Sequence, residues 1–115
     1  MSTGADIETR VRALLADTAT GANRWSQASI VAFLKNDALP WLLSARPSSR
    51  YNTLGVALTT TTIATVASTI PTDSRWDAAL AHKVTQLCLE NDPTTPDAKK
   101  LAQYHADRAQ EIALQ

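Results

Sequence analysis

Residues 26–47 read SQASIVAFLKNDALPWLLSARP, and the spacing of their apolar side chains decides the fold class. Ile30, Val31, Phe33, Leu34, Ala38, Trp41 and Leu42 recur at helical intervals, while Lys35, Asn36 and Asp37 fall between them. Ser26 stands where an N-cap belongs, because its hydroxyl can accept from a backbone N–H that the first helical turn leaves without an intrahelical partner. The spacing predicts a helix over residues 27–45. Pro40 disturbs it: proline removes the N–H that would bond the Asn36 carbonyl, and its ring collides with that turn, so a kink or a break is expected there. Pro47 restricts Arg46 to extended backbone and ends the helix.

Working toward the N-terminus, Ile7, Val11, Leu14 and Leu15 lie on one helical face, and a first helix is expected over residues 4–17, stopping between Thr18 and Asn23. Toward the C-terminus, Thr72 and Asp73 can cap a third helix. Asp77 falls near its positive end, and Trp76, Ala79, Leu80, Val84, Leu87 and Cys88 form its stripe as far as Asn91. A fourth helix should start with Thr95 as N-cap, Pro96 at the first helical position and then Asp97, and bury Leu101, Ala102, His105, Ala109 and Ile112.

Residues 51–72 break the pattern. They carry no charge and combine eight threonines with Val56, Leu58, Ile63, Val66 and Ile70, a composition that fits a pleated strand better than a helix. Two short strands joined around Thr59 to Thr62 are expected, with an open register because no Asn-Gly or Asp-Gly marks the turn. The expectation is therefore a mainly α protein, one domain over residues 1–115: a bundle of about four helices with one β-prone loop or hairpin insertion at 51–72.

Composition narrows the function classes. Eleven basic and eleven acidic residues cancel, and the two parts of the chain differ little, with six basic and four acidic groups in residues 1–50 and five and seven in residues 51–115. Neither part has the basic excess of a surface that neutralises phosphates. A single cysteine, Cys88, excludes an intrachain disulfide. No apolar run approaches the ~20 residues that span a bilayer, so no membrane partner is expected, and a reducing cytoplasm is the expected site of synthesis.

Chemistry-bearing residues are few. Cys88 and His82 lie six apart on one helix and so point to different faces, which reads Cys88 as a small core residue rather than a nucleophile. His105 falls on an apolar stripe and reads as a partly buried histidine with a hydrogen-bond partner. One cysteine and two histidines without close spacing make no zinc site, and three glycines form no phosphate loop, so no enzyme activity, metal or cofactor is expected. A helix-turn-helix opening at Ser26 would present only Gln27 and Lys35 in an apolar segment, which is poor equipment for reading DNA. Trp25, Trp41 and Trp76 read chiefly as core anchors, with Trp41 the best placed of the three for a protein interface.

Arg24-Trp25-Ser26, Leu34, Asn36-Asp37-Ala38, Arg46-Pro47, the β-prone segment, Ile70-Pro71, the helix from Trp76 to Leu80, Asp92 and Tyr104 occur in an order that resembles the tailed-bacteriophage head-to-tail adaptor family, also called connector or head completion proteins. The likeness runs from about Ile7 to Ile112. It departs at Gln27, Ala28 and Ser29, where acidic residues are common in that pattern. The resemblance implies a structural protein of the virion neck, made in the host cytoplasm. It would form a homo-oligomeric ring between the portal protein and a tail or nozzle protein, with DNA passing through the channel without sequence-specific recognition. A heterologous contact that closes into a ring needs two different faces on each subunit, and an uncharged β-prone segment can supply one. The candidate assembly surface is Trp41, Arg46, Tyr51, Leu54, Val56, Leu58, Ile63 and Val66. The alternative function is a small helical DNA-binding or DNA-packaging accessory protein.

Overall fold

The computed structural model describes residues 2–15, 25–51, 54–58, 63, 65, 67–91 and 97–114. These form a mainly helical bundle with no sheet among the described residues. Helix α1 spans Gly4–Leu15. Thr3 precedes it, and Asp6 reaches back to accept from the Thr3 backbone N–H at 2.8 Å, half of a capping box. Helix α2 spans Gln27–Phe33, and the Ser26 hydroxyl accepts from the Ser29 N–H as the sequence predicts.

No break follows at Pro40. The chain widens into a π-helical turn over Leu34–Ala38, closed by a bond from the Leu39 N–H to the Leu34 carbonyl, and continues as α3 over Leu39–Ala45. One extra residue in that turn takes up the proline ring and its missing donor, so three segments make one continuous rod. Arg46 leaves the helical region with φ −140° and ψ 79° before a 3-10 turn at Pro47–Arg50, and the helix ends ahead of Pro47 as expected.

Helix α4, Asp77–Glu90, lies in the middle. It touches α1, α2, the π turn, α3 and α5. Ala79, Leu80, Ala81, Val84 and Cys88 are all buried on it, facing Ile7 and Val11 of α1, Ile30 and Leu34 of the second rod, and Leu42 of α3. A 3-10 turn at Ser74–Trp76, capped by Asp73 accepting from the Arg75 N–H, leads into α4. Trp25 and Trp76 are core residues, as expected, but the Trp76 Nε1 is buried without an acceptor.

Residues 51–72 do not form the expected pair of strands among the described positions. Tyr51 bridges Ala57, and Thr69 bridges Thr3 in front of α1, each an isolated contact. The second bridge is fixed by the Gly4 N–H on the Ser68 carbonyl and the Ile70 N–H on the Ser2 carbonyl. Ile63 and Ile70 enter the helical core and are essentially inaccessible. Two short strands have too little buried surface to persist alone, and here the bundle takes their apolar side chains instead. The turn expected at Thr59 to Thr62, the chain stop at Thr18 to Asn23 and the cap at Thr95 and Pro96 lie outside the described residues.

The last helix, α5, spans Ala98–Ala113 and starts later than the sequence suggests, because Asp97 stands in a left-handed conformation and is not helical. Its inner face is Ala102, His105, Ala109 and Ala113, packed on α4. Leu101 is not part of that face and is 42 % exposed. A helix that approaches its neighbour through alanines comes close enough to exclude an adjacent leucine from the seam. Leu80→Ala should therefore cost about 2–5 kcal/mol of stability through lost transfer energy and a cavity, whereas Leu101→Ala should cost under about 1 kcal/mol. Urea unfolding of both variants checks the assignment, and equal losses would contradict it.

Candidate functional site

The chain leaves the Pro47–Arg50 turn, runs out through Tyr51, reverses at Leu54 and Gly55, and returns through Val56 to Leu58. The Leu58 N–H bonds the Arg50 carbonyl at 2.7 Å, closing the base of the excursion. Gly55 has φ +79°, a left-handed value that makes the reversal and that other residues adopt at a cost. The root is tied to the entrance of α4: the Asp73 N–H donates to the Ser49 carbonyl at 2.9 Å, and the Arg75 guanidinium donates to the Tyr51 carbonyl at 3.3 Å. The tip thus stands on a fixed base while its side chains face water. Leu54 is 85 % exposed, Val56 58 % and Tyr51 45 %. The excursion therefore carries three exposed large apolar side chains and no charged one from Tyr51 to Leu58.

The other residues expected at this surface are placed differently. Leu58 is half-buried at the base. Ile63 is 1 % exposed, so it belongs to the core of the subunit and is closed to a partner in the folded chain. Val66 lies outside the described residues. Trp41 is half-buried against the core with the Lys83 ammonium 5.2 Å from its ring centre, and Arg46 lies 5.2 Å from the centre of the Trp76 ring. Both are held by cation–π contacts within the subunit. Of the sequence-based set, the structure brings Tyr51, Leu54 and Val56 together as one exposed patch.

Sequence reasoning missed the pairing of the two histidines. His82 of α4 and His105 of α5 face each other with their Nδ1 atoms 2.8 Å apart and their ring centres 5.1 Å apart. Bonds near ~1.33 Å put each nitrogen of a five-membered ring about 1.1 Å from its centre, so the two centres and the two nitrogens are nearly collinear. The rings therefore meet edge to edge along a hydrogen bond rather than face to face, with one Nδ1–H donating into the lone pair of the other. Tyr104 packs edge-on against His105. Burial, then the Arg108 cation, holds His82 below the ordinary histidine range, and burial together with His82 lowers His105 to about 4. The register of α4 and α5 that opposes these positions is a tertiary fact; helical periodicity puts His105 on an apolar stripe but leaves His82 off the stripe of its own helix, so it does not pair them.

Cys88 is buried on another face of α4. No group of three or more histidine, cysteine or acidic side chains suited to a metal occurs among the described residues. No helix is long and apolar enough to cross a membrane, again among the described residues. Compared with family models, curated proteins and solved structures, the chain matches none.

The histidine pair gives the fold a defined acid response. The folded state holds the imidazoles neutral, while in the unfolded chain they take up protons below about pH 6.5. Stability should therefore be full above pH 6.5 and fall as the pH drops toward 4, with α5 the first element affected. His105→Gln, which can still hydrogen-bond His82 but does not titrate, should show a shallower loss between pH 6.5 and 4 in urea unfolding. An unchanged slope would assign the acid response to other groups.

Proposed function

We propose that this protein is a structural head-to-tail connector of a tailed phage, a ring subunit in the virion neck between the portal protein and a tail or nozzle protein. The observation that carries the reading is the anchored apolar tip at Tyr51, Leu54 and Val56, of which Leu54 is the most exposed large apolar side chain among the described residues. Exposed aliphatic and aromatic side chains weaken solubility unless something covers them, and a fixed base makes them cheaper to bury in a partner than a flexible loop would be. The order of residues that resembles the adaptor family supports the same reading, as does a formal charge of zero, which suits a channel where DNA slides without being held.

The DNA-binding alternative has less behind it. Several cationic side chains are engaged within the subunit: Arg12 with Glu8 and the Trp25 carbonyl, Arg46 and Arg75 over Trp76, Lys83 over Trp41, and Arg108 with Glu111. A groove binder instead presents its cations to phosphates.

Native mass measurement of the full chain, alone and mixed with the portal protein of the same phage, tests the proposal. A closed assembly of more than two copies, or a defined complex with portal, is the expected result. A monomer that neither self-associates nor binds portal at high micromolar concentration would overturn it.

A further inference from the structure

Between Asp37 and Asp77 the chain carries three arginines, Arg46, Arg50 and Arg75, against one acid, Asp73, an excess of two positive charges in a protein whose formal charge is zero. The fold gathers all three arginines at the root of the apolar excursion. Arg46 and Arg75 lie over one indole, with Cζ atoms 5.2 and 5.4 Å from the centre of the Trp76 ring. Arg75 also donates to the Tyr51 carbonyl, and the Arg50 carbonyl accepts from the Leu58 N–H. We propose that Tyr51, Leu54 and Val56, with these arginines as their rim, form a docking surface for a second protein, whose seat is an apolar recess edged by carboxylates. This rests on the connector reading above and names the chemistry of the partner that covers the tip.

Charge selects that partner. Asp73 is already engaged: its carboxylate accepts from the Arg75 backbone N–H at 3.0 Å and pairs with the Arg75 guanidinium at 3.2 Å. Arg50 is exposed and makes no ion pair among the described residues. The rim thus keeps a surplus of cations, which carboxylates on a partner neutralise. A guanidinium over an aromatic face still has the N–H fork of its own plane with which to grip a carboxylate. Trp76 holds two of the rim charges in place before a partner arrives, which lowers the ordering cost of binding.

A polyanion would satisfy the arginines but leave Leu54, which is 85 % exposed, and Val56 without apolar cover. The groove on the outer side of α2 in another copy of this chain is flanked by Lys35, a charge of the same sign as the rim, and so is a poor seat for it. Three apolar side chains cover far less than the roughly 800 Å² per partner of a stable interface, so they act as the central anchor of a larger contact. Charges at the edge of such an anchor set encounter rate, orientation and salt dependence more than affinity.

Binding of the full chain to the portal protein and to the tail or nozzle protein of the same phage, each at low and at physiological salt, tests this. One of the two should bind, and more weakly as salt rises. Leu54→Asp should weaken that complex about thirty-fold or more, the loss typical of an anchor residue. Arg50→Glu should weaken it about ten-fold at low salt and less as salt is added, while Arg50→Lys, which keeps the charge, should lose much less. Both positions are exposed, and circular dichroism verifies that each variant folds. Arg75 is the poorer probe, because it also holds the Tyr51 carbonyl. If Leu54→Asp and Arg50→Glu bind as the wild type does, the docking surface is wrong while the connector reading stands on another face. If Arg50→Glu binds more tightly, the partner's seat is basic and the proposal is overturned. Loss of self-association alone in Leu54→Asp would make the occupant a second copy, and binding of a short DNA duplex that Arg50→Glu abolishes would make the rim a phosphate site; either result overturns it. A wild type that neither self-assembles nor binds either protein overturns the connector reading and this proposal with it.

Discussion

Helix α4 is the constraint on which the rest of the molecule depends. It buries Ala79, Leu80, Ala81, Val84, Thr85, Cys88 and Leu89, more than one face, and every other helix rests on it. Small residues at 79, 81 and 88 let neighbours come close, and Leu80 and Val84 fill the space between α1 and the second rod. The Thr85 hydroxyl bonds back to the Ala81 carbonyl at 2.8 Å, so a polar side chain sits in this core without an unmet donor. Even the start of α4 is enclosed: the Ser2 hydroxyl donates to Asp77, whose carboxyl is pushed up from its ordinary value by burial, against the opposing pull of Ser2 and Arg10. Its other oxygen is buried without a partner, which is a cost to stability at this junction.

Much of this was legible in the chain because it is local. The Ser26 cap, the end at Pro47, the span of α4 and the burial of Leu80, Trp25 and Trp76 follow from periodicity and capping chemistry. What was not legible is tertiary. Pro40 announces trouble for a helix, but whether the chain breaks or widens by one residue depends on whether Leu39 and Leu42 on its far side are worth keeping in the core, and they are. Branched residues in 51–72 favour strands in the abstract, yet Ile63 and Ile70 find a helical core and Thr69 pairs with Thr3, a partner more than sixty residues away in the chain. Leu101 and His105 look alike on a helical wheel, and only the close alanine seam of α5 sorts one outward and the other onto His82. Gln27 is a further case: where the adaptor pattern favours an acid, its amide donates to Glu8 at 3.1 Å, and a carboxylate there would meet that glutamate's charge.

Stability and the proposed assembly role draw on different parts of the chain. The core is made by α4 and the helices around it, and the tip at 54–56 contributes nothing to it. A substitution at exposed Leu54 therefore separates assembly from folding more cleanly than a change at Ile63, which acts on the core. The histidine pair sits on the opposite kind of site, inside the α4–α5 seam, where its chemistry bears on how firmly the C-terminal helix is held.

Hydrogen exchange at the tip tests the central claim most directly. In the isolated subunit the amides of residues 54–57 should exchange faster than those in the middle of α4. In assembled particles the tip amides should become more protected, with little change in α4. Unchanged exchange at 54–57 between the two states would contradict the account, because it would leave the apolar tip uncovered in the very assembly it is proposed to build.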